Sequence, residues 1–208
     1  MDALFSIFEI IGTVSFAISG AMEAVRHGMD LFGVAMLGLI TACGGGVLRD
    51  LVIGAIPPRV FRNPLCAVLA LAVALGVFIV LKCSRAALNH FQRAREMLYF
   101  LADTAGLAAF TVLGIESAGK DSNFALLMFV GIITATGGGV LRDMLAGTVP
   151  SVFRKHIYAL AAAAGAMANI LLMRLIPAEA AMLLGFCVVV VIRALAAHFR
   201  WNLPRVEL

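Results

Sequence analysis

Residues 41–57 read Thr41-Ala-Cys-Gly-Gly-Gly-Val-Leu-Arg-Asp-Leu-Val-Ile-Gly-Ala-Ile-Pro57, and they return as Thr134-Ala-Thr-Gly-Gly-Gly-Val-Leu-Arg-Asp-Met-Leu-Ala-Gly-Thr-Val-Pro150. Eleven of the seventeen positions are identical at a constant offset of 93. After one gap the match continues, with Val60-Phe61-Arg62 over Val152-Phe153-Arg154. Upstream, at an offset of 94, Glu9, Gly12, Phe16 and Gly20 correspond to Asp103, Gly106, Phe110 and Gly114. Self-similarity at a fixed period is the signature of a duplicated structural unit.

Composition says where that unit resides. Of 208 residues, 62% are hydrophobic and 13% charged, and the mean hydropathy is +1.04, well outside the soluble range. A helix needs about 20 apolar residues to cross a bilayer, so seven crossings take roughly 140 residues and leave roughly 68 for loops and tails. No separate soluble domain fits, which excludes a nucleotide-hydrolysing motor. The formal charge of +4 reads as loop charge that sets topology, not as a nucleic-acid footprint, so no nucleic-acid partner is expected. A channel, a carrier or an intramembrane enzyme remains.

Apolar runs lie at about residues 3–25, 31–56, 64–82, 97–118, 122–148, 156–176 and 179–198, with Pro57, Pro58, Pro150 and Pro177 marking ends. The first begins beside Asp2 and is longer than a signal-peptide core, which predicts a retained helix. The expected class is an all-α integral membrane protein with seven transmembrane helices. Residues 1–88 form a first three-helix repeat, 89–177 a second, and 178–208 a seventh helix with a cytoplasmic tail. Three spans is an odd number, so the second repeat enters the membrane upside down. An inverted repeat places a pseudo-twofold axis in the membrane plane, with the second and fifth spans facing each other near the midplane.

Orientation follows from Lys and Arg in the connections. One side carries Arg26, Lys82, Arg85, Arg93, Arg95, Arg154, Lys155, Arg193, Arg200 and Arg205, the other Arg59, Arg62, Lys120 and Arg174. Ten against four predicts the N-terminus outside and the C-terminus in the cytoplasm. The basic loop from Lys82 to Arg95 is a topology signal or a contact for anionic lipid.

Two features inside the spans carry chemistry. The triplets Gly44, Gly45, Gly46 and Gly137, Gly138, Gly139 cost a helix about 1 kcal/mol per glycine relative to Ala, so a kink or break is expected. Freed backbone groups are tolerated only against protein or a water-filled cavity, so a break points to a conduction or binding site; close helix packing is the other use of small residues. The row Ala161 to Ala164 with Gly165 has no charge beside it and reads as packing. Arg49, Asp50, Arg142 and Asp143 should face the bundle interior, because an ionised group in a span costs a few kcal/mol or more. Neighbours project about 100° apart on a helix, so cross-repeat pairs, Arg49 with Asp143 and Arg142 with Asp50, are the expectation. Arg binding to freed carbonyls, or snorkelling, is the alternative.

Carbonyls near Thr41, Gly44, Thr134 and Gly137, with the hydroxyls of Thr41, Thr134 and Thr136, could replace part of a monovalent cation's hydration shell and bind K⁺. Glu9 and Asp103 would bias such a path toward cations, although Glu9 also reads as a membrane-edge residue. Cys43, Cys66, Cys83 and Cys187 lack paired spacing and read as small packing residues. His27, His90, His156 and His198 fall near different loops with no HExxH, so no catalytic residue, resident metal or cofactor is expected. GGGVLRD lacks the GxGxxG spacing of a dinucleotide loop.

With GGGVLRDLVIGAIPPRVFR in one half and GGGVLRDMLAGTVPSVFR in the other, the chain resembles the prokaryotic branch of the trimeric intracellular cation (TRIC) channel family, whose bacterial members were long described as glycine transporters. The resemblance covers nearly the whole chain. It implies a seven-helix protomer in a homotrimer, with a separate hourglass pore through each protomer that conducts K⁺ and Na⁺. The second and fifth helices would kink at Gly44–Gly46 and Gly137–Gly139 and line that pore with the first and fourth. Animal members add lipid-linked and calcium-linked regulation, for which no matching motif is found in this sequence. The expectation is a passive, voltage-biased monovalent cation channel of the bacterial inner membrane. A secondary carrier of a small solute such as glycine is the alternative.

Overall fold

The computed structural model describes residues 2–83, 92–119, 122–153 and 157–201. Arg85, His90, Lys120, Arg154, Lys155, His156 and Arg205 lie outside the described residues, as does most of the expected basic loop. The elements in chain order are α1 (Asp2–Arg26), α2 (Leu31–Val52), the short α3 (Arg59–Arg62), α4 (Leu65–Cys83), α5 (Gln92–Ala118), α6 (Phe124–Leu145), a 3₁₀ turn (Ser151–Phe153), α7 (Tyr158–Leu172) and α8 (Ala178–His198). Among the described residues six helices are long and apolar enough to cross a membrane. The sixth expected span, α7, is apolar but has only 15 residues.

The duplication extends to the helix caps. Asp30 accepts from the Gly33 N–H at 2.8 Å at the start of α2, and Asn123 accepts from the Leu126 N–H at 2.8 Å at the start of α6. Both helices stop the same way. Gly54 and Gly147 take left-handed φ values of 73° and 71°, and the following residues bond back, Ala55 N to Asp50 O at 2.8 Å and Thr148 N to Asp143 O at 2.9 Å. These ends fix where Arg49–Asp50 and Arg142–Asp143 sit, in the last turns of α2 and α6.

Packing places α5 at the centre. It contacts α1, α6, α7 and α8, and residues Leu107 to Ile115 are buried without interruption. By contrast α4 buries only Ala70 and Ala74 and turns the rest of its apolar surface outward. Gly12 of α1 meets the Phe110 ring of α5, and Gly106 of α5 meets the Phe16 ring of α1, so the two helices cross in opposite directions. The rings themselves stand 5.2 Å apart, edge to face. Helix α8 closes the bundle against α7 and α5, with Gly165 set against Val189 and Gly185. The Ala161–Gly165 row is therefore a packing surface.

Candidate functional site

The two glycine triplets meet. A methyl group on Gly45 would collide with the Thr134 carbonyl oxygen, and one on Gly138 with the Thr41 carbonyl oxygen. As residue number rises along one helix it falls along the other, so α2 and α6 cross antiparallel about the pseudo-twofold axis. Both helices run unbroken through their triplets, which corrects the expected break and its freed carbonyls. The glycines bring backbone against backbone, and that close approach offsets their helix cost.

Thr41 and Thr134 are fully buried. Their hydroxyls donate to the Leu37 and Val130 carbonyls of their own helices and pack against Gly20 of α1 and Gly114 of α5. The Thr136 hydroxyl donates to the Ile132 carbonyl at 2.8 Å. These three hydroxyls are thus committed to helix contacts.

The Arg–Asp pairs correct a second expectation. Arg49 Nε donates to Asp50 Oδ1 at 2.8 Å, and Arg142 Nε donates to Asp143 Oδ1 at 2.8 Å. Pairing is with the sequence neighbour and not across the repeats. The crossing lies midway between residues 41 and 45 of α2 and between 134 and 138 of α6, so each Arg stands six positions past it. At 1.5 Å rise per residue that is about 9 Å, in opposite directions, so the two pairs are about 18 Å apart along the bundle. No side chain spans that distance. The arginine stem instead folds back beside its own helix end, and the second carboxylate oxygen is held from the loop. Arg59 N–H donates to Asp50 Oδ2 at 2.6 Å; at the matching place Ser151 N–H and Oγ both donate to Asp143 Oδ2 at 2.6 Å.

Beyond this shared core the halves diverge. In the second half Arg142 is wholly buried and its Nη1 donates to Asp103 Oδ1 at 2.8 Å and to Ser19 Oγ at 3.0 Å. Asp103 also accepts from Arg193 Nη2 at 3.2 Å and from the Tyr158 hydroxyl at 3.4 Å. Two guanidiniums around one carboxylate are steadied by rings: Arg193 lies 4.6 Å from the Tyr158 centroid and 5.1 Å from that of Phe100, and Arg142 lies 5.4 Å from that of Tyr99.

In the first half the matching residues line a cavity. A cavity of about 290 Å³ is lined by Glu9, Thr13, Cys43, Gly46, Arg49 and Cys66, with Arg59, Arg62 and Asn63 toward α3 and Phe110 and Leu113 beneath. Sequence accounts for the difference. Extending the offset of 92 from Val60 and Val152 sets Cys66 over Tyr158, so a thiol stands where the other half has a phenol ring. Arg193 belongs to α8, which is not duplicated. Glu9, unlike Asp103, forms no ion pair among the described residues; it lines the cavity.

Of the expected site residues, the structure brings Arg142, Asp143 and Asp103 into one network and Arg49, Asp50, Glu9 and Gly46 onto one cavity. Gly44 and Gly137 instead face Leu141 and Leu48, and Gly139 faces the Tyr158 hydroxyl. Sequence reading misses Arg193, which is only 5% exposed and is removed from the loop-charge count; nine against four keeps its sense. It also misses Tyr158, Ser151 and Ser19. A signal for Arg193 does exist, as a lone charge following Val188 to Ile192. Cys43 and Cys66 line the cavity. Among the described residues no cluster suited to a metal ion is found.

A family model described as glycine transporter matches the chain twice, over residues 6–82 and 100–174. The UPF0126 inner membrane protein YadS of Escherichia coli K12 is 32% identical over 199 residues, covering 94% of this chain and 93% of its own. A TRIC cation channel solved in work on the structural basis of conductance shares 37% identity and a TM-score of 0.83, covering 98% of each chain. The TRIC trimeric intracellular cation channel orthologue from Rhodobacter sphaeroides shares 32% identity and a TM-score of 0.84, covering 95% of this chain and 98% of its own.

Proposed function

We propose that this chain, which belongs to the family described as glycine transporters and represented among solved structures by TRIC cation channels, is a monovalent cation channel with a path through each protomer of a homotrimer. The solved relatives are channels and not enzymes, and the chain is likewise no enzyme.

One observation carries the reading: polar and charged groups flank a close antiparallel crossing of α2 and α6, with a cavity on one flank ending at Phe110 and Leu113. Charged groups this deep in apolar helices mark ion paths. On this reading the cavity is the outer vestibule and the Phe16–Phe110 pair with the triplet crossing forms the constriction. The Arg142–Asp103–Arg193 network closes the inner end. Potassium is the main permeant ion and sodium also passes; no cofactor takes part. The protein sits in the bacterial inner membrane, as the E. coli relative does, with its N-terminus outside and its C-terminus in the cytoplasm.

A second reading rests on the same asymmetry. One half open and its partner closed is the arrangement of a carrier with one-sided access, which would move a small solute such as glycine. Purified protein in planar bilayers under a KCl gradient decides between them. Unitary currents reversing near the K⁺ potential are expected. Electrical silence together with saturable glycine uptake into liposomes would replace the channel by the carrier.

A further inference from the structure

Two cavities adjoin along α2, α3 and α4, and their linings are opposite in kind. The first is the vestibule, with Glu9, Arg49, Asp50, Arg59 and Arg62 on its wall. The second is a groove of about 460 Å³, lined by Leu39, Leu48, Phe61 and Ala67 and ending at Leu141 of α6. No charged side chain lines this groove. Cys43 and Val60 line both cavities, so the charged space and the apolar space share a wall.

The charges in the vestibule are incompletely used. Asp50 takes both its partners through Oδ1 and Oδ2, one being Arg49 Nε. That leaves the terminal guanidinium nitrogens of Arg49 toward the cavity, although the residue is only 6% exposed. Arg59 and Arg62 sit on exposed α3, Arg62 having given one nitrogen to the Ile56 carbonyl. In the second half the matching Arg and acid close on each other at 2.8 Å; in the first half no ion pair joins Arg49 to Glu9 among the described residues. The vestibule wall therefore carries three cationic groups and two acids, Asp50, which is held by Arg49 and the Arg59 N–H, and Glu9.

We propose that these two cavities form one site for a membrane phospholipid with a primary-amine headgroup. Its phosphate lies against Arg49, Arg59 and Arg62, where forked guanidinium donors suit phosphate oxygens. Its ammonium turns toward Glu9, supplying the cation that Arg142 and Arg193 supply to Asp103. One acyl chain fills the groove. A soluble phosphate would leave the groove empty, and a second protein copy would cover the groove without answering the arginines. A phospholipid matches both, and its headgroup would cap the vestibule.

The test uses the purified full-length protein, equilibrated in detergent with equal amounts of phosphatidylethanolamine, phosphatidylglycerol and phosphatidylcholine of identical chains. Native mass spectrometry then counts what each protomer retains. Phosphatidylethanolamine should be preferred over phosphatidylglycerol by about tenfold, a difference of about 1.4 kcal/mol. Arg59→Gln with Arg62→Gln, both on the exposed surface, should lower retention of all three lipids several-fold. Glu9→Gln should abolish the preference for the amine headgroup while total retention persists. Ala67→Trp, which fills the groove, should lower retention without changing the headgroup order. The proposal is overturned if no phospholipid is retained, if retention and headgroup order are the same in every variant, or if Ala67→Cys crosslinks one protomer to another through the groove. None of these readouts requires a current, so they stand apart from the channel assignment.

Discussion

Arg142 and Asp103 join α6 to α5 at 2.8 Å through side chains that are essentially removed from solvent. Asp103 is the shared anion of two cations, since Arg193 of α8 reaches its other oxygen. Breaking a buried pair by deleting one partner typically costs about 3–5 kcal/mol, because the remaining charge is left uncompensated.

Asp103→Asn should therefore destabilise more than Arg193→Gln, since it takes from Arg193 its acid partner and from Arg142 one of two, and Arg142→Gln should rank with it because it unpairs Asp143 as well. Arg193→Gln leaves Asp103 with Arg142 and should cost less than Asp103→Asn. Thermal unfolding in detergent checks the order; equal shifts for the three variants would count against a shared carboxylate.

At the crossing, Gly45→Ala and Gly138→Ala each push a methyl group into a carbonyl of the facing helix. Overpacking of this kind costs about 1–3 kcal/mol, and here the obstructing atom is backbone and cannot rotate away. Gly46→Ala is the contrast, because its nearest neighbour would be Arg49 Nη2 at 3.8 Å. The first two should lower the melting temperature, and the third should leave it nearly unchanged while narrowing the vestibule.

Phe110 lines the cavity and packs on Phe16 of the other half. Phe110→Ala should raise resting K⁺ flux into proteoliposomes if this ring pair obstructs the path. A flux equal to the parent protein's, in a variant that still folds, would place the obstruction elsewhere.

Cys66 lines the vestibule whereas Cys83 and Cys187 are exposed on other surfaces. In a Cys43→Ser, Cys83→Ser, Cys187→Ser background, a small cationic methanethiosulfonate should reduce K⁺ flux, and Cys66→Ser should protect. Undiminished flux despite labelling of Cys66 would separate the cavity from the ion path.

The duplicated architecture is legible in the sequence because its signal is identity at a fixed offset, which needs no three-dimensional information. The pairing of Arg49 and Arg142 is not. A helical-wheel angle locates the Cα–Cβ direction, but a guanidinium at the end of a long stem, beside a helix end where the loop supplies a further N–H, can return to its neighbour. The triplets stand out in the sequence, yet their effect does not: isolated helix propensity predicts a break, and the facing carbonyl that rewards their smallness belongs to a distant part of the chain. Arg193 is hidden by its nearness to the end of its span, where charge is ordinarily solvated. The difference between the halves is hidden because both its sources, Cys66 in place of Tyr158 and Arg193 on the unduplicated α8, lie outside the aligned stretch.

The antiparallel meeting of Gly45 with Thr134 and of Gly138 with Thr41 gives the crossing of α2 and α6 no intrinsic direction. If the proposed path runs past this crossing, an ion arriving from either face would meet equivalent backbone. Any rectification must then originate at the two mouths, where Glu9 and Arg49 stand apart on one side and Asp103 is clasped by Arg142 and Arg193 on the other.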